Sequence, residues 1–243
     1  MSALPGTTGR RRLYLMRHGF VDYTSKRVVE SQDPSCAQLT PRGEEEARAA
    51  GIALGEVSFD LALCSGLDRT RQTAEIILRE HPETYQLEDV PAFEELRSGQ
   101  YIDFKSPEHL AATMSFQIEQ AGEPDATFLE GGEKFADAMS RIEDGLLALL
   151  ARPNWATALL VAHEMVNRLI LSWVLKAPLG AAIGFEQDTG CINIIDFDLT
   201  PDLDGDGTRI ERAVIKAMNL TPANYLKNGM NLRSLEAIFT RPD

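Results

Sequence analysis

The sequence predicts an α/β fold, a three-layer sandwich in which a mostly parallel sheet is flanked by helices. Three observations carry this. Short apolar runs at residues 13–16, 60–64 and 157–162 each end at a polar residue. Each then gives way to a loop and a stretch with helical spacing, and parallel strands need a crossover that is normally a helix. With 243 residues, and no apolar run near the roughly 18 needed to span a bilayer, the chain can bury one sizeable core and is not expected to sit in a membrane.

Taken in order, Leu13, Tyr14, Leu15 and Met16 form the opening strand, stopped by Arg17-His18-Gly19. Residues 1 to about 11, ahead of it, read as a loose leader, and the apolar run that follows is too short for a signal-peptide core. Thr40 is a good helix N-cap and Pro41 suits the first turn. Glu44, Glu45 and Glu46 lie where the helix dipole favours acids, and Gly51 and Gly55 mark the far end. Residues 60–64 read as a strand and 67–79 as a helix. Further helices are expected over 107–121 and 133–151. In the second of these, Phe135, Met139, Ile142, Leu146, Leu149 and Leu150 recur at helical spacing and form a core face. A strand over 157–162 ends at His163, a helix covers 164–175, and 191–197 with 209–217 read as a hairpin around an acidic, glycine-containing connection. There is no internal repeat and no linker, so residues 12–243 are expected to form a single domain.

Charge and cysteine usage exclude several classes of function. Lys and Arg number 24 against 37 Asp and Glu, a net charge of −13, so neither nucleic acid nor an anionic membrane surface is an expected partner. Cys36, Cys64 and Cys191 are odd in number and widely spaced, which suits a reducing cytoplasm and suggests neither a disulfide framework nor a cysteine zinc site. His163-Glu164 begins like a zinc-protease helix, yet Asn167 stands where the second histidine ligand belongs. Asp202, Asp204, Asp206 and Gly207 imitate the start of a calcium loop, but Ala213 occupies its twelfth position. No metal or other cofactor is expected. Cys36 precedes Arg42 by six residues, the spacing of a cysteine phosphatase, but Pro41 removes an amide that such a phosphate loop needs.

In an open α/β sheet, ligands bind beyond the C-terminal ends of the strands, where helix N-termini converge. Three such ends carry Arg17 and His18, Ser65 leading into Arg69, and His163. Guanidinium and imidazole groups gathered in an acidic protein suit a phosphate. Arginine's planar fork holds two oxygens, and a neutral imidazole can attack as a nucleophile. The two remaining histidines, His81 and His109, read as surface or capping residues.

These residues resemble a family. Leu15-Met16-Arg17-His18-Gly19 is similar to the signature of the histidine phosphatase superfamily, also called phosphoglycerate mutase-like. Leu39-Thr40-Pro41-Arg42-Gly43 resembles its first helix start, and Ser65-Gly66-Leu67-Asp68-Arg69-Thr70 its second arginine motif. Gly131-Gly132-Glu133 and Val161-Ala162-His163 are similar to its later blocks, in the same order. The resemblance implies a phosphoglycerate mutase-like catalytic domain. In it, His18 attacks a phosphate monoester to form a phosphohistidine, while Arg17, Arg69 and His163 hold the phosphoryl oxygens. It also implies an acid four residues before a glycine as proton donor. Glu95 before Gly99 fits, with Glu94 its near neighbour. Thr24, Ser65 and Glu164 join the expected substrate-binding set. This chain departs from the family at Phe20, where Glu or Gln is usual, at Thr24, where Asn is common, and at Glu164-Met165, where two glycines are typical.

Residues 100–135 hold seven acids and two lysines, a net −5 near the expected mouth. That charge would repel a second anionic group on a substrate, so hydrolysis of a small monoester with a neutral, apolar or cationic leaving group is favoured over mutase transfer. A non-catalytic phospholigand or protein-binding module is the rival class. Phe104, Met114, Phe116 and Phe128 in the same stretch are expected mainly in the core, with a lid as the alternative. A monomer and a homodimer both fit the sequence.

Overall fold

The computed structural model of the chain describes residues 9–23, 25–31, 33–99, 107–201 and 208–237. Six strands, β1 (Arg10–Arg17), β2 (Leu61–Cys64), β3 (Leu87–Asp89), β4 (Thr157–Ala162), β5 (Ile192–Pro201) and β6 (Thr208–Leu220), form one sheet in the order β3-β2-β4-β1-β5-β6. The first four are parallel, whereas β5 runs antiparallel to both β1 and β6. Strand β1 begins at Arg10, inside the segment read as leader. Arg10 and Arg12 pair across the ladder with Asp198 and Asp196, and Arg11 is buried over Trp155. Charged residues opened this strand because its neighbour supplies opposite charges, a tertiary effect that the apolar pattern does not contain.

Seven helices complete the described layers: α1 (Lys26–Ser31), α2 (Pro41–Leu54), α3 (Asp68–Arg79), α4 (Pro107–Glu119), α5 (Phe135–Ala151), α6 (Glu164–Val174) and α7 (Ser234–Ala237). The Thr40 hydroxyl accepts the Gly43 N–H at 3.2 Å and caps α2 as expected. Alternation along the strands sorts the two cores. Leu13, Leu15, Leu160 and Ala162 face the layer of α4, α5 and α6, while Tyr14, Met16, Leu159 and Val161 face α2 and α3. Because both faces are covered, these strands read as unbroken apolar runs rather than as alternating ones. No helix among the described residues is long and apolar enough to cross a membrane. The acidic connection between β5 and β6, including Asp202, Asp204, Asp206 and Gly207, lies outside the described residues.

His81 corrects an expectation. It is buried just after α3, edge-on to Tyr85 and tilted against Phe59, whose rings cover it. His109 is exposed, and so is Phe116 at 59%.

Candidate active site

Strand register builds the site. Arg17 pairs with Ala162 across β1 and β4, and Cys64 pairs with Val161 across β2 and β4. The next residues, His18, His163 and Ser65, therefore emerge side by side at the C-terminal ends of three parallel strands. The two imidazoles meet edge-to-face with centroids 5.3 Å apart, and both are buried. Two glycines seat the first of them. A Cβ on Gly19 would lie 2.3 Å from the Gly43 carbonyl oxygen, and one on Gly43 would lie 2.2 Å from that of Phe20, so the loop after His18 rests backbone-on-backbone against the start of α2. The loop's amides are also held, Gly19 N–H by the Thr73 hydroxyl at 3.1 Å and Phe20 N–H by the Glu46 carboxylate at 2.9 Å. Phe20 itself is buried beneath the Arg42 guanidinium, 4.5 Å from its ring centroid.

Hydrogen bonding fixes what each imidazole presents. His18 Nδ1 is 2.8 Å from the Gly19 carbonyl oxygen, which can only accept, so Nδ1 carries the proton and Nε2 keeps its lone pair. Burial, reinforced by Arg69 and Arg17, holds the His18 pKa well below the ordinary imidazole value, so the ring stays neutral. His163 Nε2 is 2.7 Å from Ser65 Oγ, which lies 2.9 Å from Thr70 Oγ1. Thr70 donates to the Leu67 carbonyl at 2.7 Å, so Ser65 donates to Thr70 and His163 Nε2–H to Ser65. His163 Nδ1 is left buried and without a partner. Ser65 thus orients the second histidine rather than lining the cavity.

The cationic groups arrive from two directions. Arg69, from the first turn of α3, is buried, and its guanidinium donates to the Pro34 and Ser35 carbonyls, each at 3.3 Å. Arg17 donates to the Gln187 carbonyl at 2.5 Å and lies 3.0 Å from Glu164 Oε2. The Nε atoms of both arginines are buried without partners. Glu164 is buried between two guanidiniums, because its other oxygen accepts from Arg168 at 2.8 Å and from the Ser234 hydroxyl at 2.7 Å. The expectation that Glu164 contacts substrate therefore meets a carboxylate already committed to Arg17 and Arg168. Thr24 lies outside the described residues.

The acid is held by its own loop. Glu95 is partly buried, and its two oxygens accept the Leu96 N–H at 3.1 Å and the Met165 N–H at 3.3 Å. Burial raises its pKa above the usual carboxylate value, against the opposing pull of these amides and Arg69. A clamp that the sequence does not reveal fixes the loop. Arg141 donates to both oxygens of buried Glu133 at 3.0 and 2.9 Å and to the carbonyls of Ala92 and Glu94 at 2.8 and 3.1 Å, while Glu133 accepts the Arg97 N–H at 3.1 Å. Gly131-Gly132-Glu133 signals a loop and a helix start, but nothing local shows that Glu133 reaches residues 36 positions away.

Arg17, His18, Arg69, Glu95 and Glu164 line one cavity of about 380 Å³, with Tyr23, Leu67, Met114, Phe128 and Met165 among its walls. It holds a neutral imidazole with an unprotonated Nε2, two guanidiniums and a carboxyl group inclined to carry a proton. Residues 13–202 match the sequence profile of the histidine phosphatase superfamily (branch 1). The chain belongs to the histidine phosphatase superfamily. Among curated proteins, it is 28% identical over 187 residues to the adenosylcobalamin/alpha-ribazole phosphatase of Escherichia coli K12, covering 77% of this chain and 90% of that one. It is also 26% identical over 190 residues to a protein of Erwinia tasmaniensis named "Probable phosphoglycerate mutase GpmB", covering 78% and 86%. The solved structure of the alpha-ribazole phosphatase from Shigella flexneri superposes with a TM-score of 0.63 at 23% identity, over 86% of this chain and 96% of that one. A structure titled "Mycobacterial hydrolase 1" gives 0.67 at 22%, over 87% and 99%. These structures share the phosphoglycerate mutase-like fold of this histidine phosphatase.

Proposed function

We propose that this protein is a metal-independent phosphomonoester hydrolase that works through a phosphohistidine. The observation that carries the reading is the Nδ1–H bond from His18 to the Gly19 carbonyl, which leaves Nε2 unprotonated beside Arg17 and Arg69. In the first step the Nε2 lone pair forms an N–P bond while the ester P–O bond breaks. The carboxyl proton of Glu95 passes to the departing alkoxide, and the alcohol leaves. Charge on the phosphoryl oxygens falls to Arg17 and Arg69, and His163 Nδ1, buried and unprotonated, accepts the proton that a monoanionic ester carries on a phosphoryl oxygen. In the second step the Glu95 carboxylate takes a proton from water, the water oxygen bonds to phosphorus, and the N–P bond breaks to release phosphate.

The curated likeness to an alpha-ribazole phosphatase supports hydrolysis of a small phosphorylated substrate. Free thiols at Cys36, Cys64 and Cys191 fit a cytoplasmic setting. Incubation with a ³²P-labelled phosphomonoester followed by denaturation should yield acid-labile, base-stable label on His18, with turnover unchanged by EDTA. Hydrolysis without that label refutes the mechanism, and 3-phosphoglycerate in the same assay reports any mutase transfer.

The pH dependence follows from the same groups. The reactive form needs His18 neutral and Glu95 protonated. With the His18 pKa lowered by burial, activity should persist below pH 6.5, where an ordinary imidazole is already charging. With the Glu95 pKa raised by burial, the alkaline fall should begin above the ordinary carboxylate range. A kcat/KM profile that drops on the acid side with a midpoint at 6.5 or higher would contradict this assignment.

A further inference from the structure

Resting on that reading, we infer that the alcohol half of the substrate is an uncharged apolar group of about ring size, seated against Leu67, Met114, Phe128, Leu129 and Met165. Beyond the phosphate-holding end, the cavity wall is the outer skin of the larger core. Leu96, Met114, Phe128, Leu129 and Met165 are all buried members of that cluster and all face the cavity. An apolar group placed against these five side chains leaves water without desolvating a polar partner, whereas a polar one finds none among them to bond. About 380 Å³ is at the small end for a ligand site and suits a phosphate with one ring.

Charge at the rim separately disfavours an anionic alcohol half, and the apolar wall is what distinguishes an uncharged group from a cationic one. Asp33 and Glu94 line the cavity, and Arg97, the further cation there, is 80% exposed with Glu133 3.6 Å away. A second anionic group on the substrate would meet carboxylates and a hydrated, already paired guanidinium.

Leu67 adds an independent observation. It occupies the N-cap position of α3 with extended backbone and makes no side-chain capping bond, although Ser, Thr, Asp or Asn would satisfy an orphan amide there. An apolar side chain in a capping position, half-buried against the cavity, breaks a local rule where a wall contact gives the compensation.

The test uses primary alkyl esters, so that aryl leaving-group chemistry does not intrude. Benzyl phosphate should exceed glycerol 3-phosphate, phosphoethanolamine and phosphoglycolate in kcat/KM by roughly 10- to 100-fold. Leu67→Ser supplies a capping hydroxyl, so its melting temperature should hold or rise while the benzyl advantage shrinks about threefold or more. A flat or reversed ranking, or an unaltered ranking in Leu67→Ser, overturns the inference. Calorimetry with benzylphosphonate against phosphonoacetate asks the same question without turnover. Preferential benzylphosphonate binding with no ester hydrolysed supports the cavity assignment and refutes the hydrolase reading. Equal binding of the two phosphonates overturns the cavity assignment itself.

Discussion

His18→Ala should lower kcat for any phosphomonoester by roughly 10³-fold or more and abolish the labelled phosphoenzyme. The magnitude follows from the loss of the cavity-lining imidazole whose Nε2 lone pair is fixed. Without Nε2 there is no N–P bond to form, and water is left to attack a phosphoryl group unaided. The fold should survive the change. The loop after His18 is held by Gly19 against Gly43, by Thr73 and by Glu46, none of which involves the imidazole. Arg17 and Arg69 keep their own partners as well. Inorganic phosphate, measured by calorimetry on the variant, should therefore still bind within about tenfold of wild type. Activity within tenfold of wild type in a His18→Ala protein would show that another group carries the attack.

Glu95→Gln should separate the two chemical steps. For an alkyl ester, whose alkoxide is a poor leaving group, loss of the proton donor should cost about 10²- to 10⁴-fold in kcat. An aryl ester leaves without that proton, so phosphorylation of His18 should stay fast, and only the water-dependent step should slow. A burst of p-nitrophenol with accumulated phosphoenzyme is the expected signature. The single amide oxygen can keep only one of the two N–H bonds, from Leu96 or from Met165, while the Arg141 clamp on the Ala92 and Glu94 carbonyls still holds the loop, so the melting temperature is measured alongside. Glu94→Gln is the control, because the Glu94 carbonyl, not its side chain, is what Arg141 holds. Equal losses in the phosphorylation rate on alkyl and aryl esters, with no burst, would remove Glu95 as the donor to the leaving group.

The legible part of this site is the part written in strand ends. Arg17, His18 and His163 follow apolar runs whose length fixes where each strand stops, and a parallel register then brings the stops together. Arg69 and Glu95 became visible through ordered motifs rather than through periodicity. What stayed hidden depends on long-range pairing. Glu133 with Arg141 braces the acid loop, and Gln187 receives Arg17 from a turn 170 residues away. Composition likewise gave no sign that Arg10 and Arg11 extend the first strand, because their partners lie on β5 and beside Trp155. Ser65 shows the limit within a correctly located motif. Its place beside the site is legible, but its bond to His163 Nε2 rather than to substrate depends on the rotamer of a single hydroxyl.

The bridge from Arg17 through Glu164 to Arg168 has a bearing on how a catalytic cycle closes. Arg17 and Arg168 share Glu164, Glu186 lies 3.5 Å from Arg168, and the Ser234 hydroxyl ties Glu164 to the start of α7, so two carboxylates temper the two guanidiniums. Weaker attraction for an anion costs little while the ester is also gripped by its organic half. Under the proposed mechanism, Arg69 and the tempered charge of Arg17 detain the inorganic product once that half has departed, so accumulated orthophosphate should inhibit less than it would at two unneutralised guanidiniums.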